Sequence, residues 1–362
     1  MNKPDYTLIV LVAIFVIFGF LMLTSATAPV AITKYDNSYH YVTKQFLNGF
    51  LPGIILFAVL SRLDYRIFKK YSNLFFASAL ILLGLVFIPN LGVSYGKAQS
   101  WINVFGIFSF QPSEIAKLAV IIFFSAWLEY RTKKNFLDRQ TLTRFLIILG
   151  VISGLIFLQP DMGTMFIIVF TALLIYFISG APLIYFGGIM GAMAAIFLGL
   201  IKIAPYRLAR LAIFLNPSVD PQGIGYHLNQ ALLAIGSGRF FGLGLGNSLQ
   251  KFQYLPEVYA DSIFAIAGEE LGFIFGVLFI VGLVLFLIKG LRAAFRAPDN
   301  FGKFAAAGIT GWIVMQSFIN IGAMLSLIPI TGLPLPFVSY GGTALATSLA
   351  ACGILVNISR WA

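Results

Sequence analysis

Apolar residues gather along this chain into ten blocks of about 15–22 residues, at approximately 7–27, 46–60, 73–89, 112–128, 145–158, 163–179, 183–204, 269–288, 304–328 and 343–358. A helix needs about 20 such residues to cross a hydrocarbon core of roughly 30 Å. The pattern predicts an all-α polytopic membrane protein of ten transmembrane helices, forming one integral domain over residues 1–362. Blocks five and six are short and separated only by "LQPDMG", and interrupted spans of that kind mark a site at the edge of a bundle.

Two polar interruptions stand out. Residues 205–268 form a loop between spans seven and eight, and so long a connection is usually functional. Its "YHLNQALLAIGSG" is apolar at helical spacing and ends in glycines, which predicts a short helix along the membrane surface. Gly242, Gly244 and Gly246 follow no predicted strand, so they predict a turn with close backbone approach and not a nucleotide loop. The second interruption, "IPITGLPLPFVSYGG" between spans nine and ten, has three prolines and three glycines in fifteen residues. It cannot continue a helix, and irregular backbone at membrane depth survives only where protein or water satisfies it. This segment, with Ser339, is expected to line a polar cavity.

Composition agrees with the block pattern. The chain is 59% hydrophobic and 10% charged, with mean hydropathy +0.93, against roughly 45–50% and 25% in soluble domains. Fifteen of the 24 Lys and Arg lie at Lys3, Arg360 or in the loops 61–72, 129–144 and 289–303. By the positive-inside rule both termini are then cytoplasmic and loop 205–268 is extracytoplasmic. The net charge of +11 reads as topology and attraction to anionic membrane lipids, with no nucleic-acid partner. Lys3, the first apolar run and "ATA" at 26–28 mimic a signal peptide, but the run is long enough to span and the topology needs it. A single cysteine, Cys352, excludes an intramolecular disulfide.

Carboxylates are scarce. Apart from the cytoplasmic loops and the N-terminus they are Asp36, Glu114, Asp161, Asp220, Glu257, Asp261, Glu269 and Glu270, all on the outer side in this topology. An acid at the bilayer centre costs roughly 2.5–3.5 kcal/mol on insertion scales. Glu114 and Lys117 stand three apart on one helical face of "FQPSEIAKLA"; a structural ion pair and a cavity function are both open. Asp161 is either a helix N-cap or a site residue, and dipole stabilisation is the leading account of Glu269 and Glu270. Asp261 is either the N-cap of the helix beginning "SIFAIAG" or a functional acid beside the glycine run.

The stretches "FSFQPSEIAKL", "LQPDMGT", "GYHLNQALLAIGSG", "FGLGLGNSLQKFQYLPE", "DSIFAIAGEELGF" and "NIGAMLSLIPITGLPLPFVSYGG" together resemble the SEDS proteins, the RodA, FtsW and SpoVE group, in the same order along the chain. The wording of the motifs leans toward FtsW. The resemblance implies a peptidoglycan glycosyltransferase that polymerises lipid II at the outer face of the bacterial cytoplasmic membrane, working in division or elongation beside a class B penicillin-binding protein and other divisome or elongasome membrane proteins. It also implies that Asp261 is the essential aspartate. Family members usually read His-Thr-Asp there, where this chain has Tyr259, Ala260 and Asp261, and many carry a basic residue before Trp101 where this chain has Ser100, so Lys97 is a candidate substitute. Joining two lipid-linked sugars by a single inverting displacement requires one carboxylate base and cations for a departing pyrophosphate. Asp261 is the expected base. Lys97, Arg207, Arg210, Arg239 and Lys251 are the available cations, with Glu114, Lys117, Asp161, Glu257 and Ser339 around the cavity and a divalent ion, Mg or Mn, able to assist. Two rival readings are a lipid II flippase, with Glu114, Lys117 and Asp161 as its polar path, and a scaffold that packs partner helices on span one or on the small residues "AAAGITG" of span nine.

The charge asymmetry makes a direct prediction. In a Cys352→Ala background, a cysteine at Asn37 should react with a membrane-impermeant label from outside and one at Lys134 should not; outside labelling at Lys134 reverses the orientation.

Overall fold

A computed structural model of the chain describes residues 3–89, 91–95, 98–104, 108–133, 138–182, 184–185, 187–188, 224–252 and 254–361. Among these, nine of the predicted spans fall on helices; the seventh, 183–204, lies almost wholly outside, as do Lys97, Arg207 and Arg210. The helices are α1 (Tyr6–Tyr35), α2 (His40–Gln45), α3 (Leu51–Leu60), α4 (Arg66–Lys70), α5 (Ser72–Leu85), α6 (Pro112–Lys133), α7 (Arg139–Leu158), α8 (Met162–Ile178), α9 (Ile224–Ser237), α10 (Ile263–Arg296), α11 (Asn300–Met324) and α12 (Gly342–Ser359). Six described helices are long and apolar enough to cross a membrane: α1, the continuous stretch His40–Leu60, α7, α10, α11 and α12. The apolar helices α5 and α8 are shorter. α6 has 22 residues, but Glu114, Lys117 and Glu129 lie within it.

Local chemistry explains the irregular pieces. A π segment, Phe46–Phe50, joins α2 to α3. Pro52 has no N–H to give to the carbonyl four residues back, and its ring crowds that carbonyl; a wider turn just before it absorbs the mismatch. Helix α9 is the short helix expected from "YHLNQALLAIGSG". The connection between α5 and α6 holds an antiparallel meander that the apolar blocks did not predict: β1 (Gly92–Tyr95), β2 (Ala98–Val104) and β3 (Phe108–Phe110), with Gly92 opposite Ile102 and Ile102 opposite Phe110.

Helices α11 and α12 form the centre: 83% and 78% of their spanning windows are buried, against 17–44% for the other four candidate spans. Their small residues make that possible. A Cβ at Gly308 would collide with Ile121 and Ile175, and one at Gly311 with Leu174. The run "AAAGITG" is therefore core packing, which overturns its expected role as a docking face for a partner helix. Span one keeps such a face, with Val10, Ile14, Ile17 and Leu21 exposed.

The two ends of the bundle differ in chemistry. One end carries both termini and is tied by Asp5 N donating to Ser359 Oγ at 3.1 Å, Asp5 to Lys289 at 3.4 Å, Tyr65 Oη donating to Asp299 at 2.9 Å, and Glu129 to Lys69 at 2.6 Å. The other end collects the segments 35–45, 110–117, 159–164, 239–262 and 331–343, and it holds the unusual sequence motifs.

Helix α10 is broken near that second end. Gly272 has φ 76° and ψ −173°, a region essentially reserved for glycine. The break frees backbone groups that a membrane cannot satisfy, and the loop after α9 pairs them. Phe273 N donates to Arg239 O at 2.8 Å and Ile274 N to Phe240 O at 3.2 Å, while Leu243 N and Gly244 N donate to Glu269 O and Glu270 O at 3.0 Å. A Cβ at Gly242 would strike the Glu270 carbonyl, which is the close approach expected of the glycine run.

Gly272→Ala should therefore lower stability by at least about 1–3 kcal/mol, the cost of holding a non-glycine residue in that region. Gly150→Ala, in α7 with open space around it, should lose nothing. Thermal unfolding of the purified variants checks this, and equal melting of the two would remove the break as a structural requirement.

Candidate functional site

The expected base sits in a turn that several elements fasten. Residues 255–262 run into α10, with Ala260 N and Ser262 N donating to Glu257 O at 2.9 and 3.3 Å. Asn320 of α11 donates to Asp261 O at 2.7 Å and to Leu333 O at 2.8 Å, and Tyr340 N donates to Tyr259 O at 2.8 Å. Ser339 Oγ donates to Ala260 O and accepts from Leu335 N at 2.8 Å. Gln45 closes the ring, donating to Ser339 O at 3.2 Å and accepting from Gly341 N at 2.9 Å. The proline-rich segment is thus held against the Asp261 turn by side chains from three helices or loops.

Asp261 is 7% exposed. Helix α10 takes Ser262 as its N-cap residue, without a side-chain capping bond, so the capping account of Asp261 does not hold. Ser262 Oγ lies 3.4 Å from Asp261 Oδ1, 2.8 Å from the Pro256 carbonyl and 2.6 Å from His227 Nε2 of α9. A hydroxyl has one proton to give, so its neighbours compete for it. Glu257, at φ 50°, keeps an exposed edge. Burial of its carboxyl raises its pKa above the ordinary range, and the Asp261 charge raises it further. Tyr41 stacks on Tyr259 with ring centres 4.9 Å apart, and Tyr340 meets Tyr41 edge-on at 5.2 Å.

A second cluster lies on α6 and α11. Lys117 donates to Glu114 and to Gln316 Oε1 at 2.8 Å each, with both charged side chains almost fully buried. Its ammonium also lies 4.9 Å from the Trp312 ring centre, and Trp312 Nε1 donates to Gln316 at 2.8 Å. Gln316 Nε2 donates to Pro334 O at 2.8 Å, which links the ion pair to the proline-rich segment. Asp161 is the N-cap of α8, its Oδ1 accepting from Thr164 N at 3.0 Å, and its Oδ2 accepts from Gln111 at 3.3 Å and Ser113 at 3.4 Å.

The third cluster corrects the dipole account of Glu269 and Glu270. Both are in the second turn of α10 and fully buried, and they bind side chains and loop amides. Glu269 accepts from Ser248 Oγ, Leu249 N at 3.1 Å and Gln250 N at 3.4 Å. Glu270 accepts from Lys251 at 2.9 Å, Ser25 Oγ at 2.6 Å and Ser248 N at 3.3 Å. Lys251 is thus engaged with Glu270, Ser25 and the Gly246 carbonyl, whereas Arg239 is exposed at φ 47°. Lys97, Arg207 and Arg210 lie outside the described residues.

A family model described as a cell cycle protein, FtsW/RodA/SpoVE, matches residues 5–362. The chain belongs to the FtsW/RodA/SpoVE family. It is 40% identical to "Stage V sporulation protein E" of Bacillus subtilis, covering 99% of this chain and 98% of that one. It is 36% identical to "Probable peptidoglycan glycosyltransferase FtsW" of Trichlorobacter lovleyi over 98% of this chain and 93% of that one. Among solved structures it resembles a chain from a peptidoglycan synthase complex of polymerisation and crosslinking, with TM-score 0.81, 25% identity and coverage of 99% and 98%. Rod shape determining protein RodA of Thermus thermophilus also superposes, with TM-score 0.71, 25% identity and coverage of 99% and 97%. Within this FtsW/RodA/SpoVE chain, His227, Gln45, Gln316, Trp312, Asn320 and Ser25 carry contacts that the residue pattern did not single out. "GYHLNQ" and "NIGAM" were visible as motifs, but nothing in their spacing says which element they reach.

Removing one partner of a buried ion pair leaves a buried charge and costs roughly 3–5 kcal/mol. Glu114→Gln alone should therefore destabilise strongly, and Glu114→Gln with Lys117→Met should regain much of the loss. A double-mutant cycle on unfolding of the purified protein measures it, with strictly additive losses arguing that the pair does not act as a unit.

Proposed function

We propose that this chain polymerises lipid II into β-1,4 glycan at the outer face of the bacterial cytoplasmic membrane, with Asp261 as general base. The observation that carries the reading is the Asp261 turn: a scarce carboxylate at the motif-bearing end, anchored by Asn320, Ser339 and Tyr340, in a chain whose relatives include named peptidoglycan glycosyltransferases. In the reaction the acceptor C4 hydroxyl gives its proton to the Asp261 carboxylate while its oxygen attacks C1 of the donor sugar. The C1 to phosphate oxygen bond breaks, and undecaprenyl pyrophosphate leaves with the electron pair. One inverting displacement needs one base and no sugar-enzyme intermediate.

Neighbouring groups have supporting roles in this reading. Ser262, held between His227, Pro256 and Asp261, fixes the orientation of the carboxylate. Glu257, whose pKa burial and the Asp261 charge raise above the ordinary range, is the second carboxyl of this turn. Of the expected cations Lys97, Arg207, Arg210, Arg239 and Lys251, Arg239 is described and exposed. Among the described residues no three His, Cys, Asp or Glu side chains gather as a metal site.

The flippase reading is less well supported. Between Lys117 and Glu129 the buried face of α6 carries no charge for roughly 18 Å at 1.5 Å per residue. The exposed face of α1 suits a single-helix partner such as a class B penicillin-binding protein. In that complex, glycan made by this chain would be crosslinked by its partner, for division, cell shape or sporulation.

Asp261→Asn should keep the fold, because Asn320 binds the backbone carbonyl of Asp261 and not its carboxylate. It should lose about 100-fold to 10,000-fold in rate, the usual contribution of a positioned base. A lipid II polymerisation assay on purified protein, with and without a co-purified partner, decides it. Glycan formation within a few-fold of wild type at matched melting temperature would remove Asp261 as the base.

A further inference from the structure

A cavity of about 210 Å³ opens at the end of the bundle that carries both termini, lined by Lys3, Asp5, Arg292, Ala293, Arg296 and Ser359. At ~30 Å³ per water it has room for about seven waters or a hydrated phosphate group. Three elements build it: the residues before α1, the last turns of α10 and the end of α12. Asp5 holds them together through Ser359 and Lys289.

The charges in this cavity do not balance. Asp5 is the only acid lining it, and its carboxylate already caps Thr7 N at 2.9 Å and pairs with Lys289. Ser359 Oγ is likewise engaged, donating to Val356 O at 2.7 Å. Among the described residues Lys3, Arg292 and Arg296 form no ion pair with any acid. Arg292 and Arg296 are four apart on one helix face, where like charges repel. Ala293 between them leaves the floor small. Elsewhere at this end some cations are matched, Arg66 with Asp299 and Lys69 and Lys133 with Glu129, whereas the exposed Arg139 and Arg144 form no ion pair among the described residues. What sets Lys3, Arg292 and Arg296 apart from those surface cations is that all three converge on one cavity.

The walls below the cavity are apolar and lipid-facing. Helices α1 and α10 pack side by side, with Phe18 stacked on Phe275 at 4.5 Å and Phe15 edge-on to Phe279 at 5.2 Å. Both leave aliphatic side chains exposed near this end, Val10 and Ile14 on α1 and Leu285 and Ile288 on α10. An occupant that satisfies both parts has an anionic phosphate head and acyl chains. Basic pockets between transmembrane helices bind such heads, with arginine matching phosphate oxygens in a fork.

We propose that Lys3, Arg292 and Arg296 form a binding site for the phosphate of one anionic phospholipid, whose chains lie along α1 and α10. The site is remote from Asp261 and stands independently of the polymerase reading. A bound head clamps the start of α1 to the end of α10, so it stabilises the fold by mass action on the folded state.

The test uses the full chain in phosphatidylcholine nanodiscs or micelles, titrated with phosphatidylglycerol while unfolding temperature is followed. Wild type should melt higher by several degrees, and Arg292→Gln with Arg296→Gln should need at least tenfold more phosphatidylglycerol for the same shift. A variant with Arg139→Gln and Arg144→Gln, two exposed arginines at the same end, should behave as wild type. A parallel arm with glycerol 3-phosphate and inorganic phosphate should give no shift. Equal responses of the wild type and the Arg292 and Arg296 variant, loss of response in the Arg139 and Arg144 control, or no response in wild type would each overturn the site. A shift with the soluble phosphates as large as with the lipid would overturn the lipid assignment.

Discussion

Backbone amides and carbonyls inside a bilayer have no water to turn to, and most of the unusual structure here follows from how the chain meets that demand. The break at Gly272 frees four groups in α10, and the stretch 239–244 supplies four partners. The proline-rich segment 328–341 likewise leaves carbonyls that no helix satisfies. Asn320, Gln316 and Gln45 take up Leu333, Pro334 and Ser339, so side-chain amides stand in for helical partners. Glycine and proline make the irregular path, and buried polar side chains make it affordable in a membrane.

The same demand explains why buried amides sit on the central helix. Gln316 and Asn320 are one turn apart on α11, so they face the same way. One reaches the Glu114 and Lys117 pair, the other the Asp261 turn, and both reach the proline-rich segment between. Because the small residues of α11 let neighbouring helices approach on nearly all sides, both amides are buried between these partners. An ion pair on α6 and a carboxylate before α10 are thereby held in one frame through a helix that carries no charge in its buried length.

Helices at nine of the ten apolar blocks, the short helix α9 and the glycine turn were legible because hydrophobic length and helical spacing are properties of short windows. Glu114 with Lys117 was legible for the same reason, being three residues apart. What was hidden was long-range. Nothing near Glu270 in sequence points to Ser25 or to Lys251, and the dipole account failed because the helix starts a turn and a half earlier than the apolar block. The meander at 92–110 was hidden by its brevity, and the burial of span nine was hidden because small residues serve core packing and partner docking equally well in sequence.

The position of the break bears on how this protein enters its membrane. Residues 273–296 alone make a helix of roughly 36 Å, longer than the hydrocarbon core of about 30 Å. The insertion machinery can seat that part as a complete span and leave 263–271 at the interface, so Glu269 and Glu270 need not cross the apolar centre as bare charges. Their burial then awaits the arrival of the 248–251 turn and of Ser25 from the first span. Insertion of this region is thus separable into two steps, a span whose charges all lie at its far end, from Lys289 on, and a polar seam that closes beside its near end.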